Sequence, residues 1–253
     1  VTNVVAIGDL HGHLGFSLPR ADLLIIAGDI VPMYSRAENQ NPAQELDWLK
    51  RMFTKWLVRE VENSGIKSVL VSGGNHDCLF EHDATRFEAY EWLRGLGVHM
   101  TWRPLDHGST YPTEPVPLHE LCGVHIVSYN LSPTINQRPW PFSVARGSSR
   151  QRFETEKVIE AAGQWGIDVF VTHAPPAGLL DRNKDGDHCG CGAAARIMHE
   201  VMPRFVVCGH IHEERGNRDR VYHESGREIR LINCSIMDRT YSHKGGKPRV
   251  FDV

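Results

Sequence analysis

The sequence predicts a layered α/β (α+β) fold, and three observations point to it. Short β-branched runs end one after another in clusters of Gly, His and Asp, and helical patterns lie between them. The runs are continuously apolar instead of alternating, as in strands covered on both faces. The run 4–7 leads into Gly8-Asp9, 23–27 into Gly28-Asp29, and 69–72 into Gly73-Gly74-Asn75-His76-Asp77. Later, 169–172 stops at His173 and 205–208 stops at Gly209-His210-Ile211-His212.

Between the second and third runs, Asn41-Pro42 followed by Gln44 has the form of an N-cap with Pro at the first helical position. Leu46, Leu49, Phe53, Trp56 and Val61 then recur at helical spacing, predicting a helix over 42–62 whose aromatic face (Trp48, Phe53, Trp56) joins the core. Weaker helical patterns cover 84–95, 151–164 and 192–200, each closing near Gly or Pro. The runs 228–232 and 249–251 alternate in polarity and predict an antiparallel second sheet after the last His pair. The stretch 101–120 holds Pro104, Gly108, Pro112, Pro115 and Pro117, and 131–149 holds Pro133, Pro139, Pro141 and Gly147. Both are too rich in Pro for central strands and read as cap or substrate loops. With no repeat, low-complexity tract or linker, one domain over 1–253 is expected.

Composition narrows the function classes. With 253 residues, 41% hydrophobic and 23% charged, the chain is neither disordered nor a coiled coil and can bury a large core. Lys+Arg 28 against Asp+Glu 31 leaves −3, so no broad basic field supports a long nucleic-acid track; no stable nucleic-acid partner is expected, and a small phosphorylated ligand fits better. No stretch reaches the ~20 apolar residues needed to span a bilayer, so no membrane partner is expected. From Val1 onward the chain reads as a strand instead of a charged leader, and a cytoplasmic location is expected. Cys78, Cys122, Cys189, Cys191, Cys208 and Cys234 are scattered and are read as reduced thiols.

The chemistry-bearing residues Asp9, His11, Asp29, Asn75, His76, Asp77, His173, His210 and His212 all lie just past predicted strand ends. In a layered sheet those ends converge on one edge, so groups far apart in sequence can meet. Carboxylate, imidazole and amide carbonyl without thiolate form a mixed O/N donor set suited to Mn, Fe, Zn or similar ions. Asp-x-His and His-x-His place two side chains on one side of extended backbone, within reach of one site.

Gly-Asp-x-His-Gly (8–12), Gly-Asp (28–29), Gly-Asn-His-Asp (74–77), Thr-His (172–173) and Gly-His-x-His (209–212), in this order, resemble the five blocks of the calcineurin-like metallophosphoesterase superfamily. The resemblance implies a four-layer αββα sandwich of two mixed sheets flanked by helices, with a dinuclear centre of two divalent or trivalent ions, Mn²⁺ favoured over Fe, Zn, Co or Ni. It implies Asp9, His11 and His212 at one ion, Asn75, His173 and His210 at the other, and Asp29 bridging. It further implies in-line attack on phosphorus by a metal-bridging hydroxide, with His76 stabilising the equatorial oxygens or protonating the leaving oxygen, and Asp77 orienting the His76 ring. Within the superfamily, 172–181, Gly190-Cys191 and Gly209-His210-Ile211-His212-Glu213 are similar to metallophosphoesterase-domain (MPPED-like) and class III cyclic-nucleotide phosphodiesterase-like proteins. Pro139-Trp140, Phe142 and Arg146-Gly147 resemble a substrate-side loop of that group, with Arg146 as a phosphate contact.

That likeness favours hydrolysis of 2′,3′ or 3′,5′ cyclic nucleotides. A broad phosphomonoesterase or phosphodiesterase comes second, a nuclease third, and a non-catalytic scaffold, which should lack ligands, last; a homodimer is compatible with all of these. Two departures stand out. Leu10 takes the place where the MPPED-like group commonly has Thr, giving a Gly-Asp-x-His-Gly block like that of Ser/Thr protein phosphatases. Yet Ile30-Val31-Pro32 and Asp77 depart from what those phosphatases carry. Tyr129-Asn130-Leu131-Ser132 also differs from the MPPED-like pattern. Two further motifs are read blandly. Asp181 to Gly186 begins like a calcium loop but has Gly192 where the twelfth-position Glu belongs, so 181–191 is read as a cap loop. His188-Cys189-Gly190-Cys191 lacks an evident fourth zinc ligand and is read as incidental.

Overall fold

The computed structural model describes residues 1–33, 41–106, 111, 113–134, 140–163 and 165–253. Gly108, Pro112 and Pro139 of the Pro-rich loops, and Gln164 at the end of one predicted helix, lie outside the described residues.

In chain order, β1 (Asn3–Ile7) and β2 (Leu23–Ala27) are followed by α1 (Pro42–Trp48), a π-helical turn (Leu49–Phe53) and α2 (Thr54–Ser64). Then come β3 (Ser68–Ser72), α3 (Arg86–Gly95), β4 (Val98–Met100), β5 (Trp102–Pro104), β6 (Thr113–Pro115), β7 (Leu118–Leu121), β8 (Val124–Tyr129), β9 (Ser132–Pro133) and β10 (Ser143–Val144). The chain finishes with α4 (Ser149–Ala162), β11 (Val169–Thr172), α5 (Gly192–Val201), β12 (Phe205–Cys208), β13 (Arg218–Tyr222), β14 (Glu228–Asn233) and β15 (Arg249–Asp252).

The helix expected over 42–62 runs from 42 to 64 with the π turn inside it. Asn41 caps it as the sequence implies, its Oδ1 accepting the Gln44 N–H at 3.1 Å. Gly65, at φ +67°, ends it in the left-handed conformation. α4 starts two residues before its predicted position because Ser148 supplies the N-cap, accepting from the Gln151 N–H at 3.2 Å.

Two mixed sheets form the centre. The first has five strands in the order β15-β1-β2-β3-β4, the second six in the order β13-β14-β12-β11-β8-β7. Pairing is parallel except at three edges, where β15, β13 and β7 run antiparallel to their neighbours. The antiparallel second sheet expected after the last His pair is met only by the β13–β14 pair. On its other side β14 runs parallel to β12, and β15 crosses to the edge of the first sheet, antiparallel to β1. An alternating pattern reports one half-covered face; it cannot say which neighbour pairs with it.

The two faces of each strand bury differently. Val4, Ala6, Leu23 and Ile25 meet Ile126, Val169, Val171 and Val207 between the sheets. On the outer faces, Val5, Ile7, Leu24 and Ile26 join Leu49, Phe53, Trp56 and Leu93 of the helices, while Phe170 and Val206 join Val158, Ala194 and Ile197. The result is the helix, sheet, sheet, helix layering. At about 25 cal/mol per Å² of apolar surface, this double burial is the main stabilising term and explains why the parallel strands need no polar face. The carboxyl ends of β1, β2 and β3 meet those of β11 and β12 at one edge, where Gly8 also bridges to Ser235. All six cysteines are free thiols. Among the described residues no helix is long and apolar enough to cross a membrane.

Candidate metal centre

Every ligand candidate sits on the first turn past one of those strand ends, and the backbone there is unusual. Asp9, His11, Asp29 and His210 have φ of +50°, +41°, +55° and +67°. Left-handed backbone at non-glycine residues costs roughly 1–2 kcal/mol each and persists where surrounding structure over-determines it. The motif glycines make room for these turns. A Cβ on Gly74 would lie 2.2 Å from the Asp29 nitrogen, and one on Gly209 would lie 2.3 Å from Asp9 Oδ2.

Asp9 and Asp29 are buried at the bottom of the cluster. His212 Nε2 is 3.2 Å from Asp9 Oδ1 and 3.3 Å from His11 Nε2. His173 Nε2 is 3.0 Å from Asn75 Oδ1 and 3.4 Å from Asp29 Oδ2. The same Asp29 oxygen stands 3.7 Å from His11 Nε2. Two groups of ligand atoms thus each lie within 4.8 Å of one another, Asp9–His11–His212 and Asp9–Asp29–His173. The His210 ring packs edge-on to His173 with centroids 5.0 Å apart.

Surrounding groups aim the donors. His173 donates its Nδ1–H to the Ala27 carbonyl at 2.7 Å and His212 donates its own to the Asp238 carbonyl at 3.2 Å, so both rings present Nε2 to the cluster. Asp9 accepts the His210 N–H at 2.9 Å and the Ser235 hydroxyl at 2.6 Å. Asp29 Oδ1 accepts the His76 N–H at 2.8 Å, leaving Oδ2 for the histidines. Ser235 and Asp238 are not evident from sequence. The available signal is positional, since both follow the end of β14.

The electrostatics are those of a cation site. Burial lowers the pKa of His11 to about 4, and burial with the charge of His173 lowers that of His210 to about 3, so both stay neutral lone-pair donors. Burial also opposes charge on His173, yet Asp29 and Asp9 outweigh it and push the imidazolium up to about 10. Two buried carboxylates therefore demand positive charge at this point. Carboxylate, imidazole and amide oxygen in this mixture suit divalent first-row ions. His11 Nδ1, buried with no hydrogen-bond partner among the described residues, is the type of atom a cofactor-centred pocket tolerates.

His76 is half-buried, its ring 5.1 Å from His11 and 4.6 Å from Trp140. Asp77 does not orient it. Both Asp77 oxygens are occupied by backbone donors, with Oδ2 accepting from Asp29 and Gly74 at 2.9 Å and Oδ1 from Ile30 at 2.8 Å and Val31 at 3.2 Å. Asp77 therefore fastens the turn carrying Asp29 to the turn carrying Asn75. A carboxylate adjacent in sequence to a His can equally well face backbone, and only the tertiary contact distinguishes the two.

The substrate-side residues separate likewise. Phe142 is fully buried against Trp102 at 5.5 Å and is core. Arg146 is exposed, within electrostatic reach of Cys189 and Cys191. Asn130 is a buried tie between the sheets, bonded to Ser72 and Thr101. In the 181–191 loop, Asp181 turns inward to accept from Gly178, Gly190 and His188, and Asn183 accepts from Asp185 and Asp187, so the loop closes on itself as a cap. Among the described residues the His188-Cys189-Gly190-Cys191 stretch gathers no metal-binding group.

Residues 2–214 match the family model described as calcineurin-like phosphoesterase. The chain belongs to that family. Members use a dinuclear divalent metal centre, and the cluster above supplies ligand groups for one. The family is one of metal-dependent phosphoesterases. Similar curated proteins include UPF0046 protein T07D4.2 of Caenorhabditis elegans, 26% identical over 98% of this chain and 59% of the relative. Metallophosphoesterase domain-containing protein 1 of Homo sapiens is 25% identical over 85% of this chain and 62% of its own length. The chain thus spans about six tenths of the length of these relatives. Among solved structures, TT1561 of Thermus thermophilus has a TM-score of 0.51 at 10% identity, covering 100% of this chain and 99% of that one, a likeness of fold.

Proposed function

We propose that the chain is a phosphodiesterase that hydrolyses cyclic nucleotides, 2′,3′ or 3′,5′, at a centre of two divalent ions with Mn²⁺ favoured. The observation that carries the two-ion reading is the position of Asp29 Oδ2, 3.4 Å from His173 Nε2 and 3.7 Å from His11 Nε2, a single oxygen between two histidine groups. Asp9, His11 and His212 would hold one ion, Asn75, His173 and His210 the other, and Asp29 would serve both. The chemistry such a pair supplies is charge neutralisation at the phosphoryl oxygens and a more acidic water for in-line attack. The protein's own part is orientation. The Ala27 and Asp238 carbonyls hold two imidazoles in the ligating tautomer, and Ser235 with the His210 N–H fixes Asp9. His76, beside the ligands with its ring edge on His11, is placed to hydrogen-bond the phosphoryl oxygens or protonate the leaving oxygen.

The diester preference is supported by the likeness of 172–216 to metallophosphoesterase-domain proteins, one of which is among the relatives found. A cytoplasmic location and a small phosphoester as the partner belong to the same proposal. The test is a panel on Mn²⁺-loaded protein with 2′,3′-cyclic AMP, 3′,5′-cyclic AMP, bis-p-nitrophenyl phosphate and p-nitrophenyl phosphate. A kcat/KM at least about tenfold higher for a diester than for the monoester is expected. The reverse order identifies a phosphomonoesterase, and absence of turnover with substoichiometric metal identifies a scaffold.

A further inference from the structure

Tyr241 belongs to none of the sequence motifs, yet its ring stands edge-on to two of the candidate ligands, 4.8 Å from His212 and 5.3 Å from His11 between centroids. It is 48% exposed and takes no part in either hydrophobic core cluster. Its backbone is left-handed at φ +57°, the same region used by Asp9, His11, Asp29 and His210. A bulky residue is rarely held there, and a turn around Asp238 holds it. The Asp238 carbonyl accepts the Tyr241 N–H at 2.8 Å, and the Asp238 carboxylate accepts from Thr240 at 2.8 Å and Ser242 at 3.0 Å. That same carbonyl accepts from His212 Nδ1, so one atom fixes both the ligand ring and the backbone of the exposed aromatic.

The ring also lies within a larger arrangement. Tyr241, His11, His76 and Trp140 form a continuous run of rings, each 4.6 to 5.3 Å from the next. Beside His212 opens a cavity of about 670 Å³ lined by Lys184, Glu213, Arg239 and Thr240, the residue preceding Tyr241. This is within the usual size of a small-ligand site, and the two exposed cations outnumber the exposed acid.

We propose that Tyr241 is the wall of a substrate subsite. A planar group carried by the phosphoester, a nucleobase or an aryl ring, lies against its exposed face while the phosphoryl group sits on the His and Asp cluster, and the rest of the molecule extends into the cavity beside His212. The inference rests on reading that cluster as the phosphoester centre. Tyr241 acts as a specificity residue, favouring ring-bearing esters over ring-free ones of equal charge. Aromatic faces suit this role because every base has a π-face to offer, whatever its hydrogen-bonding edge.

The test compares ring-bearing ligands with ring-free ones of the same phosphate class, and the change on substitution of Tyr241 is what decides. On Mn²⁺-loaded protein, calorimetry measures AMP against ribose 5-phosphate. Kinetics pair 2′,3′-cyclic AMP with glycerol 1,2-cyclic phosphate, and p-nitrophenyl phosphate with β-glycerophosphate. The wild type is expected to prefer the ring-bearing member, and Tyr241→Ala to reduce that preference by roughly ten- to hundredfold, mostly in Kd and KM and less in kcat. Tyr241→Phe should retain it. Equal affinity of the wild type for AMP and ribose 5-phosphate, an unchanged preference in Tyr241→Ala, or loss of bound manganese from that variant overturns the proposal. Turnover of the monoesters alone removes the cyclic-diester reading, and the monoester and product pairs still decide the role of Tyr241.

Discussion

Replacing Asp77 by Asn tests the account of how the centre is held open. The carboxylate accepts four backbone N–H groups at 2.8 to 3.2 Å, from Asp29, Ile30, Val31 and Gly74, and is fully buried. An Asn side chain keeps one accepting oxygen and turns an NH₂ toward two of the donors. Hydrogen bonds to a charged acceptor contribute about 1.5–3 kcal/mol each, and an orphaned buried N–H costs about 1–3 kcal/mol, so losing two bonds should destabilise the protein by about 3–5 kcal/mol. That is a large share of a total stability of about 5–15 kcal/mol. The Asp29 N–H is among the four, so the Asp29 carboxylate should shift with its turn and Mn²⁺ affinity should fall by about 10–100-fold. Urea unfolding of metal-free protein, read as a change in midpoint at constant slope, measures the first effect, and titration calorimetry measures the second. An Asp77→Asn protein with wild-type stability and metal affinity but slowed turnover would refute the reasoning. Such a result would return Asp77 to the role of orienting His76.

Asp29→Ala should lose both ions, because one oxygen serves both histidine groups, whereas His76→Ala should keep metal and lose about 10²–10⁴ in rate; metal analysis with a single-substrate assay separates them. Burial, with the nearby charge of Asp77 adding to it, pushes the Glu45 carboxyl up to about 8, against 4.5 for an ordinary Glu. The folded state therefore keeps a proton that the unfolded chain releases. Stability from this group is complete below about pH 4.5 and is lost as pH rises through about 8. Glu45→Gln should accordingly be more stable than wild type at pH 8.5, by up to a few kcal/mol, and not at pH 4.5, as thermal melts at both pH values will show. Arg150 pairs with Glu81 at 2.8 Å and Glu154 at 2.9 Å while 11% exposed. Arg150→Met should cost about 3–5 kcal/mol by leaving the buried Glu154 and the half-buried Glu81 unmatched, and a loss under about 1 kcal/mol in denaturant titration would contradict that.

The sequence by itself determined the strands of the parallel core and the identity of the donor groups. Continuous apolar runs such as 23–27 and 205–208 have no stable place except between two covered layers, and Asp, His and Asn at the ends of such runs have no stable place except at the sheet edge. Local chemistry sufficed for the Asn41 cap as well, because an N-cap is completed within three residues. Only the tertiary structure decided the rest. Whether β15 would pair with β1, at the far end of the chain, or with the nearby β14 depended on which sheet edge was open. Whether Asp77 served a histidine or four backbone N–H groups depended on the approach of the turn after β2. Ser235, Asp238 and Tyr241 reach the centre because the return from β14 crosses its edge, and no period or spacing in the sequence encodes that crossing. Patterning reports how much of a residue is covered; the partner that covers it is chosen by packing between elements distant in the chain.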